Sequence, residues 1–253
     1  MYLMTYRSFI KKINFDTLLI NSDIKFGYNI KSPKKYLLKD HLAKLKDLTK
    51  ESDVFFPAFN YSFLNTKKYD ISLDKSEVGM LSEYYRCKIS QWRSKVPVFS
   101  FTSKKKIFLP KMQIIDPFDQ DSIFSYFYRN NSGMIHYGSS LRTTTIIHYV
   151  ERIFRDLKYR YDKYFIGKIY DNKIFIEDIK LKYHVRPMGS NFDYDWIKIE
   201  NDLIDEGILN IYKNGRTRIM FFSIKDLVDY WFYKLNLNSL YFLDKTTLQW
   251  VEP

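Results

Sequence analysis

Two short apolar runs bracket an amphipathic helix near the start of the chain, and this arrangement narrows the fold more than any other feature. Residues 16–21 (DTLLIN) and 53–56 (DVFF) show no apolar/polar alternation, so each reads as a strand buried on both faces. Between them, residues 35–50 place Leu37, Leu38, His41, Leu42, Leu45 and Leu48 at helical spacing. Strand, helix, strand is a βαβ unit, which requires parallel strands and a layer of helix over the sheet. Residues 134–137 (MIHY) read as a further buried strand and 96–101 (VPVFSF) as another. Helices are expected over 78–87, over 122–128 with Ser122 as N-cap, and over 143–157.

The C-terminal third follows another pattern. Residues 164–186 alternate around Asp171-Asn172, and 207–222 do so around Asn214-Gly215; both read as hairpins. Helices follow at 195–206 and 223–235, the second opening on the capping pattern Ser223-x-x-Asp226. Gly27, Gly138, Gly189 and Gly215 fall in polar breaks and read as turns. The expected class is α/β: a mixed sheet layered with helices, with antiparallel hairpins in the C-terminal third. With no repeat, low-complexity stretch or linker, residues 1–253 read as a single domain.

Composition excludes several classes. At 45% hydrophobic residues the chain has enough apolar surface for a core, which argues against wholesale disorder. The single Cys87 cannot form an intrachain disulfide or belong to a cysteine-rich metal site, as suits a reducing cytosol. There is neither an apolar run of bilayer length nor a signal-peptide pattern at MYLMTYRSFIKKIN, so a cytoplasmic location without a membrane span is expected. The 41 Lys+Arg against 29 Asp+Glu leave a formal charge of +12, which favours anionic partners. Residues 86–111 concentrate that charge: Arg86, Lys88, Arg93, Lys95, Lys104, Lys105, Lys106 and Lys111, with no Asp or Glu and with Trp92, Phe99 and Phe101 interleaved. Such a segment suits nucleotide phosphates or a single-stranded nucleic acid; it equally describes a solvated basic loop.

Of the four histidines, His41 and His136 lie in apolar patterns and read as core residues; His184 ends a strand and is either structural or functional. His148 stands apart. It follows a strand, a glycine turn and a run of hydroxyl residues (GSSLRTTTIIHYVE), within the first turns of a helix that Thr143 or Thr144 can cap. Near a helix N-terminus the dipole disfavours the imidazolium, leaving a neutral proton acceptor. Glu151, three residues on, shares its face and can orient the ring, although the same spacing also describes an ordinary surface pair. Open α/β folds place ligands at the C-terminal ends of such strands. The chain contains no P-loop, G-x-G-x-x-G, G-x-S-x-G or H-E-x-x-H pattern, and no histidine has a ligand-spaced cluster, so no metal is expected.

Seven stretches in order resemble the aminoglycoside 3-N-acetyltransferase family of acyl-CoA-dependent enzymes, over roughly residues 13–235. Residues 16–24 look like the family's opening G-D-x-L-x-x-H-S-S-L. Residues 53–63 (DVFFPAFNYSF) look like its G-T-L-x-x-P-T-F-x-Y-S-F. Val78-Gly-Met-Leu-Ser-Glu-Tyr-Tyr-Arg86 is similar to V-G-x-L-S-E-x-F-R, and Arg93-Ser-Lys-Val-Pro97-Val-Phe-Ser100 to R-S-x-H-P-x-x-S. Ser122-Ile-Phe124 looks like the S-x-F element. Gly138, Thr145, His148 and Glu151 match G-x-x-x-x-x-x-T-x-x-H-x-x-E in register, and residues 159–163 look like Y-R-x-x-K. The chain departs from the family at Val96, which replaces the H-P histidine, at Asn21-Ser22-Asp23 in place of H-S-S, and at Ala58 for the P-T-F threonine.

The resemblance implies acyl transfer from CoA to an amino sugar, with acyl-CoA as co-substrate. His148 is then expected to take the amine proton while Glu151 stabilises the imidazolium. The expected cofactor-binding residues are Ser22, Arg93, Ser94, Ser100 and Thr145, with Ser22 or Thr145 also able to serve the oxyanion. Asp193, Asp195 and Tyr61 are expected at the acceptor. Aminoglycosides are polycations, which a +12 protein hosts awkwardly. The charge therefore favours a nucleotide-linked amino sugar, as in surface-polysaccharide biosynthesis, with an aminoglycoside as the alternative acceptor and a basic nucleic-acid-binding module as a remote one.

Overall fold

Strand β1 (Thr17–Ser22) runs through the middle of a seven-stranded sheet, parallel to β2 (Asp53–Pro57) on one side and β7 (Ser132–Tyr137) on the other. The computed structural model describes residues 5–110, 114–186 and 192–247. Beyond β2 the sheet continues antiparallel through β5 (Phe101–Ser103) to β4 (Trp92–Arg93). Beyond β7 it continues antiparallel through β11 (Thr217–Ser223) to β10 (Asn210–Asn214). The expected βαβ unit is thus present, with α2 (Leu37–Thr49) as its crossover.

Side-chain alternation divides the core into two layers. Leu18, Ile20, Phe56, Ile135, Tyr137, Ile219 and Phe221 face one side, where α1 (Tyr6–Lys12) contributes Phe9, α2 contributes Leu45 and Leu48, and α4 (Met80–Lys88) contributes Leu81 and Tyr85. Their neighbours Leu19, Phe55, Met134, Met220 and Phe222 face the other, against α5 (Ile123–Arg129), α6 (Ile147–Phe154), α7 (Trp196–Asp205) and α8 (Ile224–Leu237). Each fully buried Leu, Ile or Phe removes enough apolar area from water to contribute about 1.5–3 kcal/mol.

A four-stranded sheet packs against this second layer. Its order is β3 (Lys68–Asp70), β8 (Tyr161–Asp171), β9 (Ile174–Val185) and β6 (Ile114–Ile115), and it buries Tyr69, Ile169, Ile179 and Leu181. The hairpin β8–β9 turns at Asn172 and Lys173, and β10–β11 turns at Gly215, close to where the alternation places both turns. Ser122 and Ser223 cap α5 and α8 as expected, accepting from the Ser125 and Asp226 amides. Gly189 lies outside the described residues. Among the described residues, no helix is long and apolar enough to cross a membrane.

Two sequence expectations shift. The strand expected over 96–101 becomes an irregular segment with Val98 at positive φ, and β5 starts only at Phe101. The helix expected over 143–157 contracts to α6. Residues Leu141–Thr143 form a separate 3-10 turn capped by Ser140, and neither Thr143 nor Thr144 caps α6, whose N-cap is Ile146. The Thr143 hydroxyl donates to Ser140 O instead, at 2.9 Å, and that of Thr144 bonds His136.

Candidate active site

The parallel strands β7, β1 and β2 end together, and their C-terminal ends form the floor of a cavity of about 700 Å3. Asn21 and Ser22 come from β1, Pro57 from β2, and Ser139 and Ser140 from the loop after β7. The start of α4, with His148, Tyr183, Tyr194 and Trp196, completes the walls. Gly138 allows the sharp exit from β7. Its φ is +74°, and a Cβ there would stand 2.2 Å from Asp23 O and 2.4 Å from Gly27 N.

The following loop is held from beneath. His136, fully buried in β7, bonds Ser139 Oγ through Nδ1 at 3.0 Å and Thr144 Oγ1 through Nε2 at 3.0 Å. Burial first, then the charge of Arg218, lowers its pKa to about 3, so it is neutral at physiological pH. Asn21 Nδ2 donates to the Thr143 carbonyl at 2.6 Å. His136 is therefore a satisfied core residue, as its apolar context suggests, and also the peg on which one cavity wall hangs.

His148 is the second residue of α6. Its Nδ1 lies 3.0 Å from Glu151 Oε2, and Nε2 has no hydrogen-bond partner among the described residues. Burial and then the Arg160 charge push the His148 pKa down, against an upward pull from Glu151. Burial and a neighbouring cation, in addition to the helix position, thus favour the neutral imidazole.

Glu151 is completely buried, not part of a surface pair. Such a carboxylate survives only if its lone pairs are met. Tyr194 Oη donates to Oε1 at 2.7 Å and Tyr159 Oη at 3.1 Å, while Arg160 Nε stands 2.7 Å from Oε2. Burial raises the Glu151 pKa, but Arg160 and these bonds overcome it and hold the carboxyl at about 2. Arg160 also donates through Nη1 to His184 O at 2.9 Å and through Nη2 to Tyr194 Oη. An imidazole with an ionised, anchored carboxylate on one nitrogen and open space at the other can take up a proton from a cavity ligand.

The structure brings Ser22, Thr145 and Tyr61 to the cavity wall with His148. Among the described residues, Ser22 Oγ is buried without a hydrogen-bond partner and Thr145 Oγ1 has only a 3.5 Å contact with Thr143 O. Burial raises the Tyr61 phenol to about 12. Asp193 lies at the rim, 2.9 Å from Arg142, a cavity residue.

Arg93, Ser94 and Ser100 are not available to CoA phosphates. All three are buried outside the cavity lining. The Arg93 guanidinium donates to the carbonyls of Ile71, Asp74 and Ala58 and to Ser100 Oγ. Ser100 Oγ in turn donates to Ala58 O, and Ser94 Oγ accepts from the Phe101 amide. These residues pin the irregular segment that replaces the expected strand. Asp195 is likewise consumed as N-cap of α7, accepting from the Lys198 amide at 3.0 Å.

The basic stretch 86–111 is also less free than its sequence implies. Arg86 binds Glu83, Lys95 lies 3.7 Å from Glu177 and Lys105 pairs with Asp53; Lys111 lies outside the described residues. Glu83 on the same helix, and Asp53 and Glu177 from distant strands, thus supply acids the segment lacks.

Sequence reasoning assigned no role to Arg160, Tyr159, Tyr194 or Arg142. The Tyr159-Arg160 pair carried a signal in the Y-R-x-x-K pattern, but Tyr194 gave none, because it reaches Glu151 from 43 residues away. Among the described residues, no group of three or more His, Cys, Asp or Glu side chains can hold a metal ion.

The sequence matches the family described as aminoglycoside 3-N-acetyltransferase over residues 39–236. No curated protein matches the chain. Among solved structures, the apoenzyme of aminoglycoside acetyltransferase AAC(3)-IVa is similar at TM-score 0.68 and 15% identity, covering 97% of this chain and 93% of that one. AAC-IIIb in binary complex with CoASH is similar at TM-score 0.70 and 13% identity, covering 93% and 97%. A histidine-to-alanine variant of AAC(3)-IVa in complex with apramycin is similar at TM-score 0.66 and 13% identity, covering 95% and 96%. The family match spans most of the sequence and the fold agrees over more than nine-tenths of the chain: the chain belongs to the aminoglycoside 3-N-acetyltransferase family of acyl-CoA-dependent N-acyltransferases.

Proposed function

We propose that the chain transfers an acyl group from acyl-CoA to an amine of an amino sugar, with His148 as general base. The observation that carries this reading is the contact of His148 Nδ1 with buried, ionised Glu151, while Nε2 has no hydrogen-bond partner among the described residues and the residue lines the cavity. Acyl-CoA, when bound, supplies an activated thioester carbonyl. His148 Nε2 takes the proton that the acceptor amine must lose, and Glu151 stabilises the resulting imidazolium through Nδ1–H. The Ser22 and Thr145 hydroxyls are cavity groups whose hydrogen-bonding capacity the described residues leave largely unspent, and they suit the cofactor or the developing oxyanion.

For the acceptor, the relatives favour an aminoglycoside: they are aminoglycoside acetyltransferases, and one is complexed with apramycin. One observation favours a nucleotide-linked amino sugar instead. The formally charged lining residues are Asp23, Lys25 and Arg142, with Arg142 paired at the rim to Asp193 at 2.9 Å, and burial favours the neutral form of His148. A polycation finds few carboxylates on such a wall, whereas a diphosphate gains Lys25, and also Arg142 if it displaces Asp193 from that pair.

The test is free-thiol release from acetyl-CoA with a panel of aminoglycosides and nucleotide-linked amino sugars. Turnover that survives undiminished in His148→Ala removes the mechanism, and turnover confined to one acceptor class decides between the two. Arg142→Glu is expected to improve aminoglycoside KM and worsen that of a nucleotide-linked sugar, each by roughly tenfold, from about 1.4 kcal/mol of altered charge interaction.

A further inference from the structure

Arg160 reaches the same nitrogen of His148 that Glu151 uses. Nη2 lies 3.1 Å from Nδ1, while Glu151 Oε2 lies 3.0 Å from it. A guanidinium only donates and an ionised carboxylate only accepts, whereas an imidazole nitrogen carries either a proton or a lone pair. Nδ1 can therefore bond one of them at a time. With the proton on Nε2, Nδ1 accepts from Arg160 and no base faces the cavity. With the proton on Nδ1, it is donated to Glu151 and Nε2 is free to act as base.

We propose that Arg160 is a positioning residue that sets the tautomer and charge of His148 by competing with Glu151 for Nδ1. The inference rests on His148 as general base only where activity is the readout. Arg160 is placed rigidly for the role: it is buried, tied to His184 O by Nη1 and to Tyr194 by Nη2, and Tyr194 passes the link on to Glu151 Oε1. Its Nε stands against Oε2 in ion-pair contact rather than hydrogen-bond alignment. The groups facing the ring are Glu151 on its own helix, Arg160 just before β8, His184 on β9 and Tyr194 just before α7. Of these, Arg160 is the fixed cation, and it opposes the imidazolium that Glu151 favours. One proton thus moves between the two ring nitrogens by exchange with solvent, with no change in net charge.

The experiment is nitrogen NMR of His148 in the full chain, assigned with His148→Gln, beside the pH profile of kcat/KM. In the unsubstituted protein above pH 7 both neutral tautomers are expected. In Arg160→Gln the Nδ1–H tautomer is expected to dominate, and the apparent pKa of the His148–Glu151 pair to rise by about one unit, because a nearby positive charge is lost. The acid limb of kcat/KM should move to higher pH with it, while Arg160→Lys, which keeps the charge, leaves the limb near its original place. A purely structural role would lower activity without moving the limb. A single Nδ1–H tautomer in the unsubstituted protein, or an unmoved His148 titration in folded Arg160→Gln, overturns the proposal. If Arg160→Gln does not fold, the tautomer ratio of the unsubstituted protein and of Arg160→Lys decides, with loss of the Nε2–H form in the lysine variant expected because its ammonium lacks the forked reach. A titration that moves while the activity limb stays supports the role of Arg160 and removes His148 as the base.

Discussion

Glu151 Oε2 lies 3.0 Å from His148 Nδ1, and the other oxygen of the same carboxylate accepts from two tyrosines. The pair is built from the inside outward: the acid has no exposure, and the imidazole carries its influence to the cavity. His148→Ala is expected to lower kcat roughly 100- to 10,000-fold, the usual worth of a positioned general base. Glu151→Gln keeps the shape but removes the charge, leaving Arg160 without its counterion. It should also lower kcat and destabilise the fold by about 3–5 kcal/mol, read as thermal unfolding beside thiol release.

Acid should weaken the protein in two stages. The folded pKa values of His136 (about 3), His148 and His41 are lowered, chiefly by burial, so between these values and about 6.5 the unfolded chain binds more protons. Stability therefore falls as pH drops below about 6.5. Glu151, at about 2 when folded, contributes stability above its unfolded value of 4.5 that is lost as pH falls toward 2. Denaturant midpoints measured from pH 8 to pH 3 should decline first near 6.5 and again below 4.5. In His136→Phe the first decline should be shallower.

The same His136→Phe substitution should damage the site without touching a ligand. It strands the hydroxyls of Ser139 and Thr144 at the base of the cavity loop. A loss of about 1–3 kcal/mol in stability is expected, with kcat/KM down roughly tenfold or more as the wall loosens. Unchanged kinetics at full folding would show that the loop needs no such anchor.

Gly138→Ala should be more severe than its size implies. The position combines positive φ with backbone atoms 2.2–2.5 Å from the added carbon, and backbone cannot swing aside as a side chain does. Destabilisation of at least about 2 kcal/mol is expected by calorimetry. Gly207 and Gly215 have positive φ but open space around them, so alanine there should cost about 1 kcal/mol.

The βαβ unit, the two hairpins, and the serine caps of α5 and α8 were legible because each depends on residues close in sequence: a buried run, an alternation, or a hydroxyl one turn from an amide. The basic stretch misled for the complementary reason. Its charge was countable, but the partners of Arg93 lie 7, 19, 22 and 35 residues away, and no local pattern announces that a guanidinium will spend its donors on carbonyls.

The sequence by itself determined that His148 and Glu151 share one face of a helix behind a strand, since helical periodicity alone brings residues three apart together. Only the tertiary structure decided that Glu151 is buried. It also decided that the carboxylate is kept ionised by Arg160, Tyr159 and Tyr194, arriving from the approaches to β8 and to α7. A buried carboxylate keeps its charge only where several donors converge on it, and convergence of distant segments is a property of packing.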